Sequence, residues 1–189
     1  GARAAKRLAC GGPVRPPESP KQFPMDHLNT LNAALERMDH LRKDKGDALN
    51  EQRPEMSGWS AAQHLYHVAL ATDLALSCVA TILAGTSPRV RHDLPKSELF
   101  AQLLARGSFP TGTQAPRLVI PPATINLDFL EQELATASAA AAKFQGQDLS
   151  QVTGRIMHEI LGGLDAQEWL AFAQMHGTHH LNIAEGLAS

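Results

Sequence analysis

The sequence predicts an all-α protein, a four-helix bundle with a long irregular excursion between helices 2 and 3. Three observations predict it. Apolar residues recur at three- and four-residue steps in four separate stretches. Glycines, prolines and capping residues stand where those stretches end. No strand signal runs beyond Leu118-Val119-Ile120, and no internal repeat appears. The gross numbers agree. A chain of 189 residues is long enough for one domain with a core, and 43% hydrophobic with 19% charged residues suits a soluble globular protein. Aromatics are only 5%, so the core must be mainly Leu, Ala, Val and Ile. A net charge of −2 shows no basic excess of the kind that binds nucleic acid or an anionic membrane. The longest apolar run, Leu74 to Ala84, falls short of the ~20 residues that span a bilayer. Two cysteines, Cys10 and Cys78, make no disulfide framework and fit a reducing, cytoplasmic compartment.

Residues 1–24 are rich in Gly, Pro and basic side chains and read as an extended or disordered arm. Arg3, Lys6 and Arg7 are not followed by an apolar signal region, and a start at Gly1 rather than Met points to a cut or to a remnant of expression. Residues 25–189 form the predicted domain. Its first helix begins near Met25, carries Leu28, Leu31, Leu35, Met38 and Leu41 on one stripe, and fades at Lys45-Gly46. The second runs from about Trp59 to Ala84, with Ser57 or Ser60 as cap and Gln63 completing a capping box with Ser60. It is apolar on most faces, which makes it central. Residues 85–122 form the excursion, with a short helix from Pro95 to Leu104; a segment this long suits a pocket wall. The third long helix runs from about Thr124 to Phe144, and Gly146 stops it. A connector over 147–164 leads to Asp165, an N-cap with Glu168 three residues on, and the last helix follows to Leu187.

That last helix holds His176-Gly177-Thr178-His179-His180, three of the nine histidines. His176 and His180 lie only about 40° apart around the axis and about 6 Å apart along it, so two imidazoles can converge on one ion. Both take stripe positions of the series Trp169, Ala173, His176, His180, Ile183, Leu187, where unpaired imidazoles are unfavourable. His179 lies nearer the edge of that face and better suits an outer-shell or substrate-contacting role, although its three-residue spacing from His176 also allows it as a ligand. A third ligand is expected from the second helix, and spacing alone leaves His64 and His67 both open. Cys78 lies roughly 16 Å along the axis from His67 and cannot share its site. Cys10, on the arm, is a weak ligand. His27, His40 and His92 read as solvated surface residues.

The segment Trp59-Ser60-Ala61-Ala62-Gln63-His64-Leu65-Tyr66-His67-Val68 resembles the motif opening the second helix of the DinB/YfiT-like superfamily of metal-binding helical proteins. His176-Gly177-Thr178-His179-His180 resembles that superfamily's C-terminal His-x-x-x-His. The run His158 to Trp169 resembles one subgroup with a His-Pro turn, Gly-x-Leu and Glu-Trp, although Glu159 stands where Pro is common. The match covers about residues 25–187. The resemblance implies an up-down-down-up bundle, a homodimer, and a three-His metal site mapping to His67, His176 and His180. Characterised members of the superfamily are thiol-dependent transferases or isomerases.

Three imidazoles leave a divalent ion with open positions, as in catalytic sites. Zn is the default, and Ni or Fe also accepts imidazole. Such an ion would activate water, giving a metal-dependent hydrolase, or a low-molecular-weight thiol, giving a transferase acting on a small-molecule substrate. The resemblance favours the thiol. Gln63, one turn before His67, is placed to orient it, and His64, His158, Glu159 and His179 are the other outer-shell candidates. A non-enzymatic metal-binding or stress-related protein is the third reading.

Overall fold

The computed structural model describes residues 24–110 and 115–189. The N-terminal arm, with Cys10, lies outside them. The described residues are mainly helical: α1 (Pro24–Lys45), α2 (Ala61–Ala84), α3 (Glu98–Arg106), α4 (Leu127–Ala142) and α5 (Ala166–Leu187). Short 3-10 turns cover Gly46–Asn50 and Arg117–Val119.

The helix ends follow from local chemistry. Ser60 caps α2 by accepting from the Gln63 amide, and the Gln63 side chain returns the bond to the Ser60 amide. Gly85, with φ of 66°, closes the other end in the left-handed conformation. Asp165 and Glu168 form the same reciprocal box at the start of α5. Two further helices, α3 and α4, start later than the sequence predicts. α3 begins at Glu98 rather than Pro95 because the Ser97 hydroxyl caps the Phe100 amide. α4 begins at Leu127 rather than Thr124 because Asn126 caps the Phe129 amide, and it ends at Ala142.

Each of α1 and α2 packs on both α4 and α5, and the α2–α5 pair is the most extensive. The core is mainly Leu, Ala, Val and Ile, as the composition predicts; Leu28, Leu31, Leu65, Val68, Leu76, Leu130 and Leu164 are among its fully buried members. α2 is long and apolar enough to cross a bilayer, which the run Leu74 to Ala84 alone does not suggest. Most of its apolar residues are buried and the helix packs on α4 and α5, the position of a core helix, while Leu74 stays exposed.

One element corrects the expected absence of strands. Ile156–His158 (β1) and Gly162–Leu164 (β2) pair antiparallel, with Met157 opposite Gly163. The segment predicted as most strand-like, Leu118-Val119-Ile120, falls instead at a 3-10 turn. Three-residue strands have no room for an alternating pattern, and two of β2's residues are glycines. Arg155 holds this hairpin. Its guanidinium donates to the Gly163 carbonyl at 3.0 Å and to Glu168 at 2.6 Å, with Asp165 at 3.3 Å. Its backbone bridges to Arg91. The close approach behind that bridge needs Gly154: its φ is 106°, and a Cβ there would lie 2.5 Å from Val90 Cγ1.

Candidate metal centre

The α2–α5 contact brings together the histidines of two distant motifs. One ring nitrogen from each of His67, His176 and His180 lies within 4.8 Å of the others, a group able to hold a metal ion. His67 is buried, and the other two are half-buried. The Nε2 atoms of His67 and His176 stand 3.0 Å apart. His67 Nδ1 is 2.8 Å from the Val119 carbonyl oxygen, which can only accept. Nδ1 of His67 therefore carries the proton, and the lone pair of Nε2 faces His176. Two nitrogens converging in this way share a proton or an ion. The donor set is all imidazole, which suits Zn and neighbouring divalent metals.

His64 does not join the three. Its Nδ1 sits 2.8 Å from His180 Nδ1, and its Nε2 2.9 Å from Ser57 Oγ. It is the neighbour of a ligand candidate, a distinction the spacing left open. Ser57 Oγ also accepts from the Trp59 amide at 3.1 Å. Burial, then the nearby His67 and His179 rings, push the His64 pKa down to about 4. Burial, followed by the other imidazoles, holds His176 and His180 well below the usual histidine range. In His67 burial lowers the pKa and the Val119 bond partly opposes it. The rings are neutral at pH 7, the form that binds metal.

Aromatic rings wall the cluster. The Trp59 ring centroid lies 5.0 Å from that of His67 and 5.4 Å from that of His64. Phe172 stacks on His176 at 5.3 Å, and Phe109 meets the same ring edge-on at 6.2 Å. The open side faces a cavity of about 1160 Å³. Along α5, Trp169, Phe172, His176, His179, His180 and Ile183 line that cavity, whereas Leu170, Gly177, Leu181 and Ala184 are buried on other faces. The histidine stripe is thus a cavity wall rather than a packed core seam.

The other sequence candidates lie as follows. His179 is half-buried, with its ring 5.0 Å from that of His180, and it lines the cavity outside the three-His group. His158 sits on β1 against Trp169 and Phe172, at 5.3 and 4.9 Å between rings. Its Nδ1 accepts from the Ile160 and Leu161 amides, both at 3.1 Å, and burial lowers its pKa to about 4. Glu159 is exposed in the hairpin turn and lines the cavity. Gln63 makes no hydrogen bond to His67. Its amide serves the α2 cap and donates to the Pro122 carbonyl at 2.8 Å, and the Val119 carbonyl orients His67 instead. His40 and His92 are exposed as expected, but His27 is half-buried and 2.9 Å from Gln174 Oε1. Cys78 is buried and free, away from the three-His group.

Sequence reasoning missed Val119 as a site residue, because a backbone carbonyl leaves no mark in side-chain chemistry. It considered Ser57 only as a cap. Phe109 and Phe172 had no recognisable signal.

No curated protein and no solved structure matches this chain. A family model does: that of the DinB superfamily matches residues 27–184, taking in all three clustered histidines. The superfamily is metal-binding, in keeping with the three-His group. With the match extending over most of its length, this chain belongs to the DinB superfamily.

Proposed function

We propose that the chain binds one divalent ion, Zn by default, through Nε2 of His67, His176 and His180, and uses it to transfer a low-molecular-weight thiol to a small-molecule substrate. The observation that carries this reading is the three-His cluster at the wall of a large, mainly apolar cavity. A structural ion has a closed shell of protein ligands, whereas three ligands facing a cavity leave positions for reactants. A bound ion supplies one thing: it lowers the pKa of a thiol or water that reaches it.

The chain's own residues do the rest. Val119 holds the His67 ring in the tautomer that presents Nε2. For His180 to present Nε2, its Nδ1–H donates to His64 Nδ1, and His64 Nε2–H donates to Ser57 Oγ. Ser57 can accept this bond together with that of Trp59. Trp59, Phe109 and Phe172 give the cluster apolar walls. His179 has no hydrogen-bond partner among the described residues and is the ring best placed to take the thiol's proton. Among the described residues, Glu159 is the one carboxylate lining the cavity, and it is exposed. His179 could serve water as well as a thiol, and the family resemblance is what favours the thiol reading over hydrolysis.

The four-helix bundle in up-down-down-up order belongs to this reading, supported by the pairing of α1 and α2 with both α4 and α5. So do a homodimer and a cytoplasmic setting, on the family resemblance and the free, buried Cys78. The test is elemental analysis of tag-free protein, followed by thermal-shift screening with glutathione and other small thiols. About one ion per chain and a thiol-dependent shift are expected. Protein purified without stoichiometric metal sinks the reading. Metal without any thiol response leaves a metal-binding protein and removes the transferase.

A further inference from the structure

The cavity continues past the histidines along α2. His67, Ala71, Leu74, Ala75 and Cys78 all line it. Their spacing of 4, 7, 8 and 11 residues from His67 keeps them on one helix face, and Cys78 lies roughly 16 Å from His67 along the axis. Two of the five are alanines, so the wall is hollowed between the histidines and Cys78. Arg89 lines the far end, its Nη2 3.8 Å from Cys78 Sγ. A buried thiol is a weak acceptor, and among the described residues no carboxylate pairs with this guanidinium. Arg89 thus presents a fork of donors with no anion in it. The walls are mainly apolar. Among the described residues, every large hydrophobic side chain left exposed, except Phe129, lines this cavity. Exposed apolar surface gathered in one concavity marks a binding site.

We propose that the cavity takes an amphipathic acid, with its apolar body along the α2 wall and its carboxylate or other anionic head on Arg89. Such a ligand places its far end at the three histidines, about 16 Å from the head. This inference rests on the proposed function in taking the cavity as the substrate site, and it narrows the small-molecule substrate to one class. It assigns Arg89 a specificity role: the guanidinium pairs with the anion as a charge-assisted fork and rejects neutral analogues.

The test is titration calorimetry of the metal-loaded, full-length protein with decanoate and with decanol. Decanoate is expected to bind at least about tenfold more tightly. Arg89→Gln should remove that preference while leaving decanol binding and metal stoichiometry unchanged. Arg89 is exposed, so the substitution does not threaten the core. Ala75→Phe should block both ligands, with circular dichroism confirming the fold. Equal affinity for acid and alcohol overturns the inference, as does a preference that survives Arg89→Gln. So does a preference that chelation abolishes and Arg89→Gln does not, because the carboxylate would then sit on the ion. Absence of metal by elemental analysis strikes the proposed function separately, and Arg89-dependent binding is read without it.

Discussion

At the scale of single residues the proposed site divides into groups that would hold an ion and groups that would aim them. His67, His176 and His180 are expected to be individually indispensable: alanine at any of them should abolish tight binding, checked by elemental analysis and competition with a chelator. His64→Ala should weaken binding by about 10–100-fold without abolishing it, because His64 touches His180 rather than the cluster centre. His179→Ala should leave metal content unchanged. Loss from His64→Ala equal to that from His67→Ala would refute the division. His158 gives a prediction about pH. Its pKa is about 4 in the folded chain against an ordinary value near 6.5, so between those limits the unfolded state holds more protons. Stability therefore falls as pH drops from about 6.5 to 4, by up to about 1.4 kcal/mol per pH unit for this one group. His158→Asn keeps an acceptor for the Ile160 and Leu161 amides and removes the titration. Urea melts at pH 5 and 7 should show a shallower dependence for the variant.

At the scale of elements, the caps and two glycines carry the testable content. Ser60 fastens the start of α2, the helix that carries His64 and His67, and Ser60→Ala should cost about 1 kcal/mol. Gly177 lies inside α5, and a Cβ there would meet Leu31, Val68 and Met38 at 3.7–3.9 Å, ordinary contact distances. Gly177→Ala should therefore stabilise the protein by about 0.5–1 kcal/mol through helix propensity. Gly154→Ala should do the reverse, because both its φ of 106° and the 2.5 Å approach to Val90 exclude a Cβ. The hairpin that Gly154 supports positions His158, so its loss should also change binding in the cavity. Denaturant melts of the two variants, run side by side, check the opposite signs.

At the scale of the whole molecule, the three histidines come from α2 and α5, the most extensively packed helix pair, so an ion held by them would tie those two helices together. A ligand that binds only the folded state adds stability as the logarithm of its concentration over Kd. Removing the metal should lower the melting temperature while leaving the helical circular dichroism intact below the transition, because the core of Leu, Ala, Val and Ile is independent of the ion. Collapse of helicity on chelation would instead mark the ion as the staple of the fold.

The sequence by itself determined the helices, two of their caps and the pair His176/His180, because these are local properties: a period near 3.6, a Ser-x-x-Gln or Asp-x-x-Glu box, a four-residue spacing. It narrowed the third candidate ligand to two residues one turn apart, and only the family resemblance chose His67. The tertiary structure placed His67 beside His176 and His64 behind His180, through the way α2 lies against α5. It also decided what the sequence could not carry. The carbonyl that orients His67 comes from Val119, 52 residues away in the chain. The hairpin is too short to show a period, and Arg155 holds it from outside its strands. Stripe position marked His176 and His180 as inward, but whether inward means core or cavity depends on what the facing helix presents. Ala71 and Ala75 on α2 leave the space open, and a packing partner's size has no signature in the helix it faces.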